Sequence, residues 1–233
     1  MLTLHKNSQR GAADHGWLQS NHSFSFGSYY NPNEMGFGPL RVINEDRVQP
    51  NKGFGEHGHD NMEIITYVLS GSLEHKDSMG NGSIIHYGDV QRMSAGTGVR
   101  HSEFNPSKNE RVHLLQIWIQ PNVQNIEPSY EEKHFDAESK KGTLRLIASE
   151  NGRDGSVVVH QDVSIFASLV DGEDTIIQAI LPTRTAYLHL IRGQITVNGQ
   201  HVTTGDSLKI TNESELIINN AANAEFLLFD LPY

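Results

Sequence analysis

Short apolar stretches separated by turn residues recur along the whole chain, and this pattern predicts an all-β protein. Residues 62–69 (MEIITYVL) and 111–119 (RVHLLQIWI) are rich in the β-branched and aromatic side chains that favour strands, and Gly, Asn and Asp punctuate the stretches. Ile64–Ile65 and Leu114–Leu115 are apolar on both faces of their strands. A strand buried on both faces indicates a sheet enclosed between layers.

One polar segment interrupts this pattern. Residues 121–142 carry two prolines and few apolar side chains, which predicts a linker with one short helix. Apolar strands resume after it. We therefore expect an N-terminal domain over residues 1–125, a linker over 126–142 and a C-terminal domain over 143–233.

A faint internal repeat relates the two halves. Residues 67–89 begin with YVLSG and end in Gly-Asp, and residues 188–206 begin with LHLIRG and also end in Gly-Asp. Each half thus contains an apolar strand, a glycine, another strand and a Gly-Asp turn. A duplicated small β-barrel would leave a repeat of this kind.

Composition narrows the classes of partner. The 233 residues carry a formal net charge of -10, and the basic residues are scattered, which argues against binding to nucleic acid or anionic membranes. There is no cysteine, so any metal would be held by nitrogen and oxygen ligands. No apolar segment has the length of a signal peptide or a membrane span, and we expect a cytoplasmic protein.

A glycine motif between residues 53 and 58 suggests a phosphate cradle at first. Gly53, Gly55 and Gly58 spell G-x-G-x-x-G. A dinucleotide fingerprint needs a strand before it and a helix after it, whereas the residues that follow here are of β type. The phosphate interpretation therefore fails on context.

Histidines in the same segment indicate a metal site instead. His57 and His59 are two residues apart, so on an extended strand both side chains point to one face. His101 and Glu103 repeat this spacing in a second predicted strand. Three imidazoles and a carboxylate on two neighbouring strands suit iron, zinc, copper or nickel.

The remaining histidines are interpreted more simply. A chain with 13 histidines can contain one H-x-H by chance, so the second pair carries the metal prediction. Isolated histidines are more often solvated or part of a core than metal ligands, and we interpret four of those in the first half and the linker in this way: His75, His86, His113 and His134. Histidines of the second half lack an H-x-H or H-x-E companion, so that half is predicted to have no metal site: these are His160, His189 and His201.

Longer stretches resemble the pirin family of the cupin superfamily. HGHDNMEIITYVLSG (57–71) with SAGTGVRHSEFN (94–105) is similar to the cupin pattern, and residues 16–46, GWLQSNHSFSFGSYYNPNEMGFGPLRVINED, resemble the pirin N-terminal signature. ERVHLLQIWIQP (110–121) and LLFDLP (227–232) continue the resemblance. It covers essentially the whole chain and is strongest to bacterial members described as quercetin 2,3-dioxygenases.

The resemblance implies a bicupin fold, in which two β-barrel (double-stranded β-helix) domains face each other and only the N-terminal one binds metal. It implies one divalent ion per chain, with Fe(II) expected and Zn, Cu, Ni, Mn or Co as alternatives. The family's ligand pattern falls on His57, His59, His101 and Glu103. The general cupin pattern would place the carboxylate at Glu63. We follow the narrower family and choose Glu103, with Glu63 as a residue that could support a ligand.

The resemblance also implies an activity. It predicts a metal-dependent dioxygenase that opens the central ring of flavonols such as quercetin, with O₂ as second substrate, release of carbon monoxide, and Glu103 as catalytic base. An alternative from another class is a metal-responsive binding protein that modulates a partner protein, with ring cleavage only a side activity. Another cupin enzyme, such as an isomerase or a decarboxylase, is a third possibility. Phe24, Phe26 and Phe54 could line a pocket, but we interpret them as core residues.

Overall fold

The computed structural model describes all 233 residues, and nearly all of its regular structure is β-strand. The chain forms two compact units. The first-half unit consists of Gly11–His134 and Val157–Gln161. The second-half unit consists of Met1–Arg10, Phe135–Ser156 and Asp162–Tyr233. Each unit is therefore built from separate pieces of the sequence.

The strands follow the predicted apolar stretches closely. Residues 1–134 contain β1 (Leu2–His5), β2 (Gly11–Asp14), β3 (Leu18–His22), β4 (Leu40–Val48), β5 (Gly53–His59), β6 (Glu63–Ser70), β7 (Ser72–Asp77), β8 (Gly82–His86), β9 (Asp89–Ser94), β10 (Val99–Phe104), β11 (Val112–Ile119) and β12 (Ser129–His134). Residues 135–233 contain β13 (Arg145–Ser149), β14 (Val157–Val158), β15 (Ser164–Gly172), β16 (Ile176–Ala179), β17 (Arg184–Val197), β18 (Gln200–Thr203), β19 (Ser207–Ile210) and β20 (Glu215–Pro232).

Helical structure is confined to three single turns of 3₁₀ type. They lie at Asn7–Gln9, Glu138–Lys140 and Arg153–Gly155. No helix here has the length and apolar character needed to cross a membrane. The turn at Glu138–Lys140 lies in the segment for which the sequence predicts one short helix, and β12 lies in the same segment. The domain boundaries drawn around that segment stay a prediction.

Two antiparallel sheets form the first-half unit. A seven-stranded sheet has the order β12-β9-β6-β11-β4-β3-β2, and a four-stranded sheet has the order β5-β10-β7-β8. Apolar side chains from both sheets pack together, as in the cluster that joins Leu73 and Ile85 of the smaller sheet to Leu114 of the larger one. A second cluster joins Val99 of the smaller sheet to Ile64 of the larger one. The unit is a sandwich whose core lies between the sheets.

A row of polar side chains crosses the larger sheet. Its members are buried and lie directly opposite one another on five neighbouring strands: His22, Asn44, Gln116, Thr66 and Gln91. The Thr66 hydroxyl donates to Gln116 Oε1 at 2.8 Å, and His22 Nδ1 lies 2.8 Å from Asn44 Oδ1. Buried polar groups require partners. This row therefore marks the part of the sandwich where polar chemistry replaces apolar packing.

The second-half unit is built on one antiparallel sheet that contains the strand order β1-β19-β17-β20-β15-β13. Strand β18 pairs with β17, and β16 pairs with β20. A large hydrophobic core cluster of this unit includes Leu188, Leu208 and Phe226. The N-terminal strand completes this sheet, because Leu2 pairs with Ile210.

The predicted all-β bicupin architecture is confirmed, with one correction. The sheets of the two units are open and do not close into barrels. The physical reason lies in the edges: β2 and β12 end the larger sheet of the first-half unit, and β5 and β8 end the smaller one. Closure would require these edge strands to pair with each other.

Candidate metal centre

Three imidazoles face a common point on the smaller sheet of the first-half unit. His57 and His59 lie on β5, and His101 lies directly opposite His57 on β10. The ring centroids are 4.4 Å apart for His57 and His101, 4.8 Å for His57 and His59, and 5.0 Å for His59 and His101. One nitrogen from each ring lies within 4.8 Å of the others.

The register between β5 and β10 shifts at this point. His101 pairs with His57, but Glu103 pairs with Phe54, so β5 contains one extra residue. Such bulges change the direction in which side chains point and are common beside functional sites. The close approach of the strands also explains Gly53: a Cβ atom there would lie 2.1 Å from the backbone oxygen of Glu103. The first glycine of the G-x-G-x-x-G match thus serves strand packing.

The hydrogen bonds of the histidines leave nitrogen atoms available for an ion. His57 Nδ1 lies 2.8 Å from the carbonyl oxygen of Gly55, which can only accept, so His57 donates there and keeps a lone pair on Nε2. Both ring nitrogens of His101 are buried without a hydrogen-bond partner. An unsatisfied buried polar group costs about 1–3 kcal/mol. A divalent cation would satisfy one nitrogen of His101 and the Nε2 lone pair of His57, and the donor set of this site fits such an ion.

Glu103 lies on the inner side of the histidines and is buried. The Gln116 amide donates to its two carboxylate oxygens at 3.2 and 3.1 Å, and the oxygen of the Thr66 hydroxyl, which donates to Gln116, lies 3.4 Å from Oε1. Glu103 also belongs to a second set of potential ligands, with His101 and His75, whose ligand atoms lie within 4.8 Å of one another. The two sets share His101.

Burial controls the electrostatics of the site. Desolvation, followed by the neighbouring His57, lowers the pKa of His59 to about 4 and the pKa of His101 to about 3. Both rings are therefore neutral at pH 7, as metal ligands must be. Desolvation also raises the pKa of Glu103, although His75 and the Gln116 hydrogen bonds oppose the shift. A carboxyl group with a raised pKa is a better proton acceptor than an ordinary one.

The alternative carboxylate, Glu63, lies outside both ligand sets. It pairs with Ser94 in the larger sheet, and its Oε2 accepts a hydrogen bond from the Ser94 hydroxyl at 2.8 Å. The same oxygen accepts the backbone N–H of His160 at 3.2 Å and lies 3.3 Å from His160 Nδ1. Glu63 therefore anchors the segment Val157–Gln161 within the first-half unit.

One polar pair of the site was not recognised in the sequence. His75 and Asp77 lie on β7, where they face Glu103 and His101 across the ladder with β10. His75 Nε2 lies 3.1 Å from Asp77 Oδ2, and neither side chain is appreciably exposed. Burial works against ionisation of Asp77, but hydrogen bonds from Asn81 and His75 outweigh it and lower the pKa of Asp77. The H-x-D spacing on a strand was the available signal.

A cavity of about 410 Å³ opens beside the histidines. Its wall includes His57, His59 and Glu103. Aromatic side chains form much of the rest: Trp17, Phe26, Phe54 and Trp118. Polar side chains also contribute to the lining: His15, Ser20, His22, Ser28, Asn44, Asp46 and Gln116.

The three phenylalanines considered in the sequence have different roles. Phe26 and Phe54 line the cavity, whereas the sequence analysis interpreted them as core residues. Phe24 is buried and is not part of the lining. Phe54 also packs edge-on against Trp17, with ring centroids 5.3 Å apart. Packing and cavity lining are thus compatible in one side chain.

Comparison with known proteins agrees with this architecture, which is that of the cupins. The family model described as Pirin matches residues 4–119, and the model described as Quercetinase C-terminal cupin domain matches residues 146–231. Quercetin 2,3-dioxygenase of Escherichia coli strain K12 is 47% identical over 232 residues, which cover 100% of this chain and 99% of that protein. The chain belongs to the pirin family.

Two further relatives extend the comparison. A pirin-like protein of Caulobacter vibrioides is 39% identical over 221 residues, which cover 94% of this chain and 95% of that protein. The crystal structure of the bacterial pirin YhhW from Escherichia coli in complex with nickel(II) has a TM-score of 0.95 at 46% identity. It covers 100% of this chain and 99% of the other.

Proposed function

We propose that this protein is a metal-dependent dioxygenase that opens the central ring of flavonols such as quercetin with release of carbon monoxide. The observation that carries the proposal is the cluster of three imidazoles, two of which, His57 and His59, line an aromatic cavity. Full-length similarity to a quercetin 2,3-dioxygenase supports the same activity.

The metal ligands in this proposal are His57, His59, His101 and Glu103. The unpartnered nitrogens of His101 and the lone pair left on His57 support the assignment. When bound, a divalent ion would act as a Lewis acid that favours ionisation of the flavonol's 3-hydroxyl group. We propose Fe(II) as the native ion. The nickel complex of the Escherichia coli pirin makes Ni(II) the first alternative to test, followed by Zn, Cu, Mn and Co.

The cavity supports a flat aromatic substrate. Its volume of about 410 Å³ is within the range of small-molecule sites, which are mostly apolar with a few placed polar groups. Trp17 and Phe54 offer aromatic surfaces on which a flavonol ring can pack. Asp46 and Asn44 line the same cavity and can hydrogen-bond to ring hydroxyl groups.

Glu103 is proposed to accept the proton of the 3-hydroxyl. It lines the cavity, it is buried, and Gln116 holds the carboxylate through two hydrogen bonds. A general base of this kind typically contributes about 10²- to 10⁴-fold to the rate. In this proposal Glu103 is both a ligand and the catalytic base.

The experiment that tests the proposal measures loss of quercetin absorbance in air together with trapped carbon monoxide. Protein loaded separately with Fe(II), Ni(II) and each alternative ion is compared at equal metal occupancy, with chelator-stripped protein and His101→Ala as controls. We expect saturable turnover that depends on the ion. If fully loaded protein released no carbon monoxide with any of these ions, the metal-responsive binding protein would become the better hypothesis. A protein partner and a cytoplasmic location stay predictions.

A further inference from the structure

A buried histidine outside the proposed ligand set lies directly behind the metal centre. His75 is fully buried on β7, opposite Glu103 of β10, and its ring centroid is 5.3 Å from that of His101. Its Nε2 atom lies 3.1 Å from Asp77 Oδ2. Its Nδ1 atom is buried and has no hydrogen-bond partner. Nε2 therefore contacts Asp77, whereas Nδ1 lies next to the metal centre without a hydrogen-bond partner.

The surroundings of Asp77 determine which nitrogen carries the proton. Asp77 Oδ1 accepts the backbone N–H groups of Met79 and Asn81 at 2.9 and 3.0 Å. Asp77 Oδ2 accepts the Asn81 amide at 2.9 Å and faces His75. Both oxygens therefore act as acceptors, and His75 must donate from Nε2. Neutral imidazole carries only one N–H group, so a lone pair remains on His75 Nδ1.

His101 requires such a lone pair. If one of its ring nitrogens binds the ion, the other carries a proton and is buried without a partner. Glu103 is not assigned to that proton, because the proposed function uses its oxygens for the ion and for the substrate proton, and Gln116 already donates to both of them. His75 is the remaining group in the set whose ligand atoms lie within 4.8 Å of one another.

We propose that Asp77 and His75 are a positioning pair for the metal centre. Asp77 holds His75 as the Nε2–H tautomer. His75 Nδ1 makes no hydrogen bond to His101 in this structure, and it would accept the His101 N–H group that does not face a bound ion. The pair thereby fixes the orientation and the tautomer of His101. This inference rests on the metal site of the proposed function. Partners that orient a metal-binding histidine typically contribute about 10- to 100-fold to metal affinity.

Asp77→Asn is the sharpest test, since it keeps the shape and exchanges one acceptor for a donor. The backbone N–H groups of Met79 and Asn81 can only donate, so the amide oxygen should take their side and the NH₂ group should face His75. His75 must then accept at Nε2 and carry its proton on Nδ1, where it opposes the N–H group of His101. We expect Ni²⁺ affinity, measured by calorimetry, to fall about 10- to 100-fold.

A matched control is available at another His–Asp pair of the first-half unit. His134 Nδ1 lies 2.7 Å from Asp89 Oδ1, and Asp89 Oδ2 accepts the backbone N–H of His86 at 2.8 Å. The ring of His134 is largely exposed and belongs to neither ligand set. Asp89→Asn is the same substitution in the same kind of contact, and it should leave Ni²⁺ affinity unchanged.

Nitrogen NMR of the imidazoles in Zn²⁺-loaded protein gives a second readout that a merely structural role would not change. His75 should be protonated on Nε2 in the wild type and on Nδ1 in Asp77→Asn. If Asp77→Asn does not fold, His75→Phe and His75→Gln replace it. Only the Gln variant, which retains an acceptor, should preserve part of the Ni²⁺ affinity.

Two results would overturn the proposed role of Asp77 and His75. One is a Ni²⁺ affinity in folded Asp77→Asn that equals that of the wild type, and the other is a proton on His75 Nδ1 in the wild type. Metal binding and turnover are measured separately, so the two proposals can fail separately. A protein that binds Ni²⁺ through this pair but releases no carbon monoxide would refute the dioxygenase alone. A wild-type protein that binds no metal would refute both.

Discussion

His101 of the first-half unit and His189 of the second-half unit are both buried histidines on β-strands, but their surroundings differ. His189 Nδ1 lies 2.9 Å from the Ser207 hydroxyl on the neighbouring strand. His101 has no hydrogen-bond partner at either ring nitrogen and lies beside two other imidazoles. A buried imidazole that hydrogen-bonds to a neighbouring strand supports the fold, whereas one that has no partner at either nitrogen and lies beside two other imidazoles indicates a ligand.

Buried glutamates show the same contrast. Glu225 of the second-half unit forms an ion pair with Arg192, at 3.0 Å between Oε2 and Nε. Glu103 instead accepts hydrogen bonds from a neutral donor, the side-chain amide of Gln116. The second-half unit therefore neutralises its buried carboxylate, while the first-half unit keeps one available. The comparison predicts that chemistry depends on one unit and that the other contributes stability.

The largest expected effect is loss of the ion. His57→Ala or His101→Ala removes one of four proposed ligands, and metal content measured by elemental analysis should fall to background. His189→Ala and His201→Ala should retain one ion per chain. If metal persisted in the His57 and His101 variants, or disappeared from the His189 and His201 variants, the metal site would not lie in the first-half unit as proposed.

Glu103→Gln should reduce kcat by about 10²- to 10⁴-fold at matched metal occupancy, because the amide cannot accept the substrate proton. Three histidines remain, and the Gln amide, unlike an Ala side chain, keeps an oxygen at the ligand position. Turnover should therefore suffer more than binding. Glu63→Gln is the control, since Glu63 bonds to Ser94 and His160. If the Glu103 variant kept near-normal activity and the Glu63 variant lost it, Glu63 and not Glu103 would be the catalytic base.

Leu188→Ala tests the role of the second-half unit as a scaffold. Leu188 is fully buried in the large core cluster, and a Leu→Ala change in such a core costs about 2–5 kcal/mol. We expect a lower urea midpoint for unfolding, with unchanged Ni²⁺ affinity of the protein that remains folded. A weaker metal site in the folded variant would show that the units are coupled.

The smallest expected effect concerns an exposed ion pair beside the metal centre. Arg100 Nε lies 2.8 Å from Glu56 Oε1, and both side chains are more than half exposed. Exposed pairs contribute about 0–1 kcal/mol. Arg100→Gln should therefore change neither the unfolding midpoint nor metal content measurably. A clear loss of metal would mean that the pair positions β5 against β10.

Local pattern was sufficient for much of the fold. The stretches SLEHKD and DVQRMS predict strands at 72–77 and 89–94, and β7 and β9 have those bounds. Alternation along a strand also makes H-x-H and H-x-E informative, because residues two apart share a face. The single turn at Glu138–Lys140 shows the limit of such rules, since helix length depends on packing.

Long-range register explains what the sequence did not reveal. The polar row joins residues of five strands that only the sheet brings together. The cavity likewise combines Trp17, Phe26 and Trp118 from distant positions. His75 resembled an ordinary core histidine, because its neighbour Asp77 becomes meaningful only once β7 lies beside β10.

The pairing of β1 with β19 determines the order in which this protein can be completed. Strand β1 is synthesised before every other strand of the structure, while its partner is made near the end. Until residues 207–210 emerge from the ribosome, β1 has no strand to pair with and is exposed to wrong partners. The segment Gly11–His134, by contrast, is already available when its last residue is made. Assembly of the second-half unit must therefore be a late event, and chains that stop before residue 207 should depend most on chaperones.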